Sequence, residues 1–465
     1  MNDLSQPRGD QRPRPDGGSE KERRSGALHG RAGEPSDGGS AGLADMSEDA
    51  QPHAARSTRL TRWFRAIGPG LVTACVVIGP GSILTSTQVG ATSGYSRGWV
   101  VVVAVAFMLV YMSLAAKLGV VARRSTADIL CEKAGRWLAA LVGLSVFFIA
   151  ATFQFGNNLG VHAALSAFLP WDYWCVLLNV LAIAFLFGFQ NLYRVVERLM
   201  AALVAVMLLS FAVNLAFARP DPAALVRGLL PHGIGGQLEL SLLGLVGTTF
   251  VVTAAYYQSY TARFKGWSVN ELSVGLIDAR VGAMVMAAIT LMLMSTAAAV
   301  LRGDRPADVA DVAEALEPAF GEAGKAIFCV GLFAAAFSSF IVNSMIGGFI
   351  LADGLGLGSQ PTDRWPRLLT VAVLLTGMLV ALYVIESGTK PVGAIVAAQA
   401  VTVVASPLMA MVLLWLTNCR DLMGAHRNGW ITNLLAGCGL LLLLATAWYT
   451  ATAKVWPAVR NVWAG

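Results

Sequence analysis

The chain has 465 residues, 56% of them hydrophobic and 13% charged, with a formal net charge of +6 and a mean hydropathy of +0.62. A soluble fold of this length needs more surface charge, so the composition excludes that class and points to a polytopic membrane protein. Six cysteines without CxxC spacing give neither a disulfide framework nor a thiolate metal cluster.

Residues 1–58 are rich in Gly, Pro, Ser, Arg and Asp and have little to bury. They are expected to form a disordered cytoplasmic tail, and they lack the apolar core of a signal peptide. The rest, 59–465, is expected to be one all-α integral membrane domain. Runs long enough to cross ~30 Å of hydrocarbon fall at about residues 66–93, 98–121, 138–168, 173–190, 195–217, 239–262, 278–301, 325–352, 367–385, 391–417 and 430–453. That predicts about eleven transmembrane helices.

Positive charge sets the expected orientation. Arg56, Arg59, Arg62 and Arg65 precede the first span, and Arg123, Arg124, Lys133 and Arg136 follow the second. Arg194 and Arg198 follow the fourth, Arg263 and Lys265 the sixth, Arg364 and Arg367 the eighth, Arg420 and Arg427 the tenth. With eleven spans all lie on one side, which places the N-terminus in the cytoplasm and the C-terminus outside a cell (inner or plasma) membrane. The segment "RGDRPADVADVAEALEPAFGEAGK" on the opposite side is net acidic.

The first span contains "VIGPGSILTS", residues 77–86. Pro80 removes a backbone donor, and Gly79 and Gly81 lower helix propensity. Lipid supplies no hydrogen bonds, so such a break must be lined by protein or by a watery cavity. Inverted-repeat transporters build their substrate sites from discontinuous helices of this kind. The partner break is expected five spans later, in "GLVGTTFVVTAAYYQSYTARFKG", where Gly247, Thr248, Thr249 and Thr253 loosen the helix without a proline.

"GPGLVTACVVIGPGSILTSTQVGATSGY", "LAAKLGVVA", "YRVVERLMAALVAVMLLSFAVNLAFARPDP", "GLFAAAFSSFIVNSMIGGFILADG" and "LMGAHRNGW" follow one another in order over residues 66–453. Together they resemble the Nramp (natural resistance-associated macrophage protein) family of divalent metal transporters. The resemblance implies a LeuT-like fold of five plus five inverted repeats, about 66–217 and 239–417, with an extra last span at 430–453. It also implies metal ion transport across a membrane.

The chain departs from the family at the metal motifs. Gly79-Pro80-Gly81-Ser82 stands for Asp-Pro-Gly-Asn, and Val251-Val252-Thr253 for Met-Pro-His. Gln258 matches a second histidine, and Gln399 in "AAQAV" resembles a family site residue. The third span, acidic in metal-transporting members, offers Gln154, Asn157 and Asn158. None of the usual metal ligands is therefore present at these positions.

The expected substrate residues are Gly79, Ser82, Thr85, Thr249, Val251, Thr253, Tyr256 and Gln399. Gln154, Asn157, Asn158, His162, Gln258 and Asn343 form the candidate route. This neutral set suits a neutral or anionic small solute or a hydrated Mg²⁺ as the alternative to a bare transition metal. Glu197, Asp278, Glu386 and Lys390 are expected to be structural or solvated. No nucleophile–base pair, phosphate loop or HExxH motif argues for an enzyme. The sequence implies no cofactor and no nucleic-acid partner; the partners expected are a small solute or ion and the lipid bilayer.

Overall fold

The computed structural model describes residues 69–188, 192–231, 240–301, 303, 306, 309–360, 362–388, 392–452 and 456. All belong to the unit Thr58–Gly465. The expected tail, the four arginines before the first span and Lys390 lie outside the described residues.

Among the described residues the regular structure is entirely helical, as a backbone in lipid requires when its polar groups must pair within their own segment. The first run is split into α1 (Pro69–Val77) and α2 (Pro80–Ser93). After α3 (Gly98–Ala122), the short α4 (Thr126–Ala134) starts at Ser125, whose side chain accepts the Asp128 N–H and caps the helix. Then come α5 (Arg136–Ser166), α6 (Trp174–Gly188), α7 (Leu192–Ala218) and the small α8 (Pro222–Gly228). The sixth run is split into α9 (Leu240–Thr249) and α10 (Val252–Phe264).

The second half continues with α11 (Leu272–Val300) and α12 (Val309–Leu355), which turns at Gly321 where φ is 71°. Next are α13 (Arg364–Ser387) and α14 (Val392–Asn418), which carries Pro407 in its interior. The short α15 (Arg420–Met423) and α16 (Trp430–Thr450) complete the set. Each apolar run thus meets a helix or a helix pair. Seven helices among the described residues are long and apolar enough to cross a membrane alone, and the bent stretch 402–426 makes an eighth. The two split runs and the 15-residue α6 remain.

At the centre α12 packs against α5, and α1 lies between α10, α11 and α12. Asn343 of α12 donates to the Ala150 carbonyl of α5 at 2.7 Å, which fixes their register. The peripheral α16 is tied to α3 by Tyr111, whose hydroxyl donates to the Ala436 carbonyl at 2.9 Å.

The loops rich in positive charge are joined to one another at one end of the bundle. Lys133 pairs with Asp421, and Lys265 with Glu197 at 2.5 Å. Arg263 donates to the Ser359 carbonyl at 2.8 Å, and Lys117 to Asn428 Oδ1 at 2.8 Å. Exposed Trp137, Trp365, Trp415 and Trp430 stand toward this end of their helices, and Trp171, Tyr173, Tyr383 and Trp448 toward the other. Such belts suit the two faces of a bilayer. Glu197 is therefore structural, Asp278 is buried and partnered, and Glu386 is exposed.

Candidate substrate site

Helix α1 stops at Val77 and α2 starts at Pro80, whose missing N–H costs nothing at a first helical position. Gly79 between them is extended, with φ −125° and ψ −179°. Its N–H still reaches the Val77 carbonyl at 3.2 Å, and its carbonyl accepts from Ile83 N–H at 3.0 Å. Gly160 of α5 makes room for this turn. A Cβ there would stand 2.1 Å from Pro80 Cγ.

The sixth span breaks without a proline. Val251 takes up an extended conformation, φ −86° and ψ 92°, and its carbonyl accepts from Ala254 and Ala255 N–H at 3.1 and 3.2 Å. The run Thr248 to Thr253 is β-branched apart from Phe250, so its helix propensity is low. Phe250 fixes the place of the break: its ring lies 6.0 Å from Phe107 and 5.4 Å from Tyr111.

The two broken spans run side by side. The hydroxyls of Thr85 on α2 and Thr248 on α9 are 3.0 Å apart, and Thr73 on α1 donates to Gln258 Oε1 on α10 at 2.6 Å. These contacts flank both breaks and set them level with each other.

A cleft adjoins the first break, lined by Gly79, Gly81 and Ser82 and, from α5, Thr152, Gly156 and Asn157. Asn157 Oδ1 and Ser339 Oγ approach Gly79 so closely that a Cβ there would meet them at 3.2 and 3.3 Å. Ser339 also donates to the Val76 carbonyl at 3.4 Å. Around the breaks, Ser82 Oγ, Thr249 Oγ1, Thr253 Oγ1, Gln154 Nε2 and Gln258 Nε2 are buried without a hydrogen-bond partner. Each such group costs about 1–3 kcal/mol when left unsatisfied, so the arrangement favours water or a polar guest. No three His, Cys, Asp or Glu side chains converge among the described residues.

The expected residues are distributed unevenly. Gly79, Ser82 and Asn157 border the cleft. Thr85 and Gln258 join the broken spans, and Tyr256 is fully buried with its ring 6.1 Å from that of Tyr260. The three third-span amides part company. Gln154 lies against Gly377 of α13 and accepts from Asn157 Nδ2 at 3.3 Å. Asn158 turns to α6, where Asn179 donates to its Oδ1 at 2.7 Å. His162 sits half-buried one turn from Ser166, whose hydroxyl is 3.4 Å from its Nδ1. Asn343 serves the α5–α12 contact described above. Gln399 belongs to α14, and its side chain lies outside the described residues. Sequence reasoning missed Thr73, Gly160 and Asn179, because their roles come from partners distant in the chain.

The Nramp family, described as natural resistance-associated macrophage protein-like, matches residues 70–453. The divalent metal cation transporter MntH of Pectobacterium carotovorum subsp. carotovorum is 28% identical over 382 residues, covering 78% of this chain and 89% of that protein. The MntH of Deinococcus radiodurans is 26% identical over 370 residues, covering 77% and 83%. Among solved structures, a mutant of the manganese transporter of Eremococcus coleocola superposes with a TM-score of 0.75 at 18% identity, covering 88% of this chain and 89% of that one. With the match running over both broken spans and nearly all described helices, the chain belongs to the Nramp family.

Proposed function

We propose that this multi-pass membrane protein is a secondary transporter that carries a divalent cation past the paired breaks with much of its water shell in place. The relatives named as divalent metal cation transporters support the cargo class. The observation that carries the hydrated form is the chemistry of the two breaks: neither Gly79 and Ser82, which line the cleft, nor Val251 and Thr253 at the second break present a carboxylate or thioether. A dehydrated transition-metal ion needs such donors, whereas Mg²⁺ gives up its waters reluctantly and bonds through them. The orphaned hydroxyls of Ser82, Thr249 and Thr253 are suited to accept from those waters. Alternating access at paired half-helices is the mode this geometry suits. The basic end lies in the cytoplasm under the positive-inside rule, in a cell membrane.

A second reading has its own observation. Gln154 Nε2 and Gln258 Nε2 are unpaired donors, and α2 and α10 begin at the breaks. Both features favour an acceptor-rich, neutral or anionic small solute. Uptake of Mg²⁺ and Mn²⁺ into proteoliposomes decides between them. Saturable Mg²⁺ uptake that Mn²⁺ inhibits poorly is the expected result, and no uptake of either ion supports the second reading.

A further inference from the structure

The cleft holds no acid, yet a buried carboxylate stands at the end of α12. Asp353 is 3% exposed. Both its oxygens are 2.7 Å from Ser125 Oγ, and Oδ2 receives Tyr260 Oη at 2.6 Å. Ser125 caps α4 and accepts the Asp128 N–H at 3.0 Å through the same Oγ; Tyr260 belongs to α10. One carboxylate therefore joins α4, α10 and α12 at the basic end of the bundle. Next to it, Thr126 and Ser259 hydroxyls meet at 2.9 Å, and Gly119 of α3 lies so close to the Ser259 carbonyl that a Cβ would stand 2.2 Å from it.

Charged and titratable groups of α4, α5 and α10 stand near it. Arg263 of α10 lies over the Tyr260 ring at 5.8 Å and acts on Asp353 from there; Asp128 of α4 adds a like charge. Arg136 at the start of α5 reaches the Asp353 carbonyl oxygen at 3.5 Å. Tyr256, one turn before Tyr260, continues α10 toward the break at Val251.

We propose that Asp353 is a positioning acid of the transport cycle. As a carboxylate it holds α10 shut against α4 and α12, and taking up a proton releases it. The chemistry is a balance of donors. The charged form accepts charge-assisted bonds from two hydroxyls; the neutral acid is the weaker acceptor and brings an O–H that competes with those donors. Both weakened contacts, to Ser125 and to Tyr260, join α12 to another element. The latch is present at high pH and lost as pH falls. This rests on the alternating-access reading above, and it assigns proton sensitivity to a place apart from the cleft.

The test is hydrogen–deuterium exchange of the full chain in lipid nanodiscs, read by mass spectrometry on peptides covering 121–134 and 252–264. Exchange is followed from about pH 5 to about pH 8 and corrected for intrinsic rates. In the wild type, protection of 252–264 should fall about threefold or more toward the acid end. Asp353→Asn should exchange at that acid-end level throughout, with no pH response. Tyr260→Phe, which keeps the carboxylate and removes one donor, should be less protected at neutral pH and respond less; it carries the test if Asp353→Asn does not fold. A wild type whose protection is flat with pH, or an Asp353→Asn or Tyr260→Phe protein with an unaltered wild-type response, overturns the proposal. No cargo is added, so failure of the uptake assay bears on the cargo reading alone.

Discussion

Thr85 and Thr248 meet hydroxyl to hydroxyl at 3.0 Å and so bind α2 to α9 beside the two breaks. Each also lies within reach of a carbonyl of its own helix, Gly81 at 2.9 Å and Gly244 at 2.8 Å. One hydroxyl donates to the other, so only the accepting threonine keeps its proton for the carbonyl of its own helix. With Thr73 and Gln258 doing the same for α1 and α10, each half of one broken span is bonded to a half of the other.

The Thr85–Thr248 contact predicts a small, non-additive loss. Thr85→Val and Thr248→Val should each destabilise by about 0.5–1 kcal/mol, as interhelical hydrogen bonds in membranes do. The double variant should lose little more than either alone. Thermal unfolding in nanodiscs reads both.

Gly160 has a larger role for its size. A methyl group there must displace the Pro80 ring, 2.1 Å away. Gly160→Ala should cost about 1–3 kcal/mol by overpacking and slow uptake. Gly156→Ala, four residues earlier on the same helix with open space around it, should cost no stability and add about 0.5–1 kcal/mol through helix propensity.

Lys117 is an ammonium within α3 that depends on Asn428 for its contact at 2.8 Å, and Asn428 in turn donates to Thr417 Oγ1 at 2.8 Å. Asn428→Leu removes the acceptor of the Lys117 ammonium, while Thr417 keeps its bond to the Leu413 carbonyl at 2.7 Å, and should lower stability by about 1–3 kcal/mol. Lys117→Met in the same background should recover part of the loss, because the charge left without a partner is then gone. The same melting experiment checks this.

How far the residues themselves disclose this arrangement depends on the kind of signal. Pro80 between two glycines marks the first break because its chemistry is local. The second break lacks that mark. Counting five spans onward locates it approximately, but its actual place is set by Phe250 wedged against Phe107 and Tyr111, a packing effect invisible in the linear order. Gln154, Asn157 and Asn158 read as one polar stripe at helical spacing. In the fold, α13, the cleft and α6 each take one of them. Asp353 near the end of an apolar run looks like a loop acid; only the approach of Ser125 and Tyr260 makes it an interior one.

A cargo site at the paired breaks, as proposed above, would lack charge-neutralising and sulfur ligands, and calorimetric titration with Mn²⁺ reads that lack out. Gly79 has an extended backbone that any residue adopts, and a side chain there need displace Asn157 and Ser339 only slightly. The wild type should therefore give no saturable Mn²⁺ binding in the micromolar range, and Gly79→Asp combined with Val251→Met should create it. Micromolar binding by the wild type, unimproved in the double variant, contradicts the account.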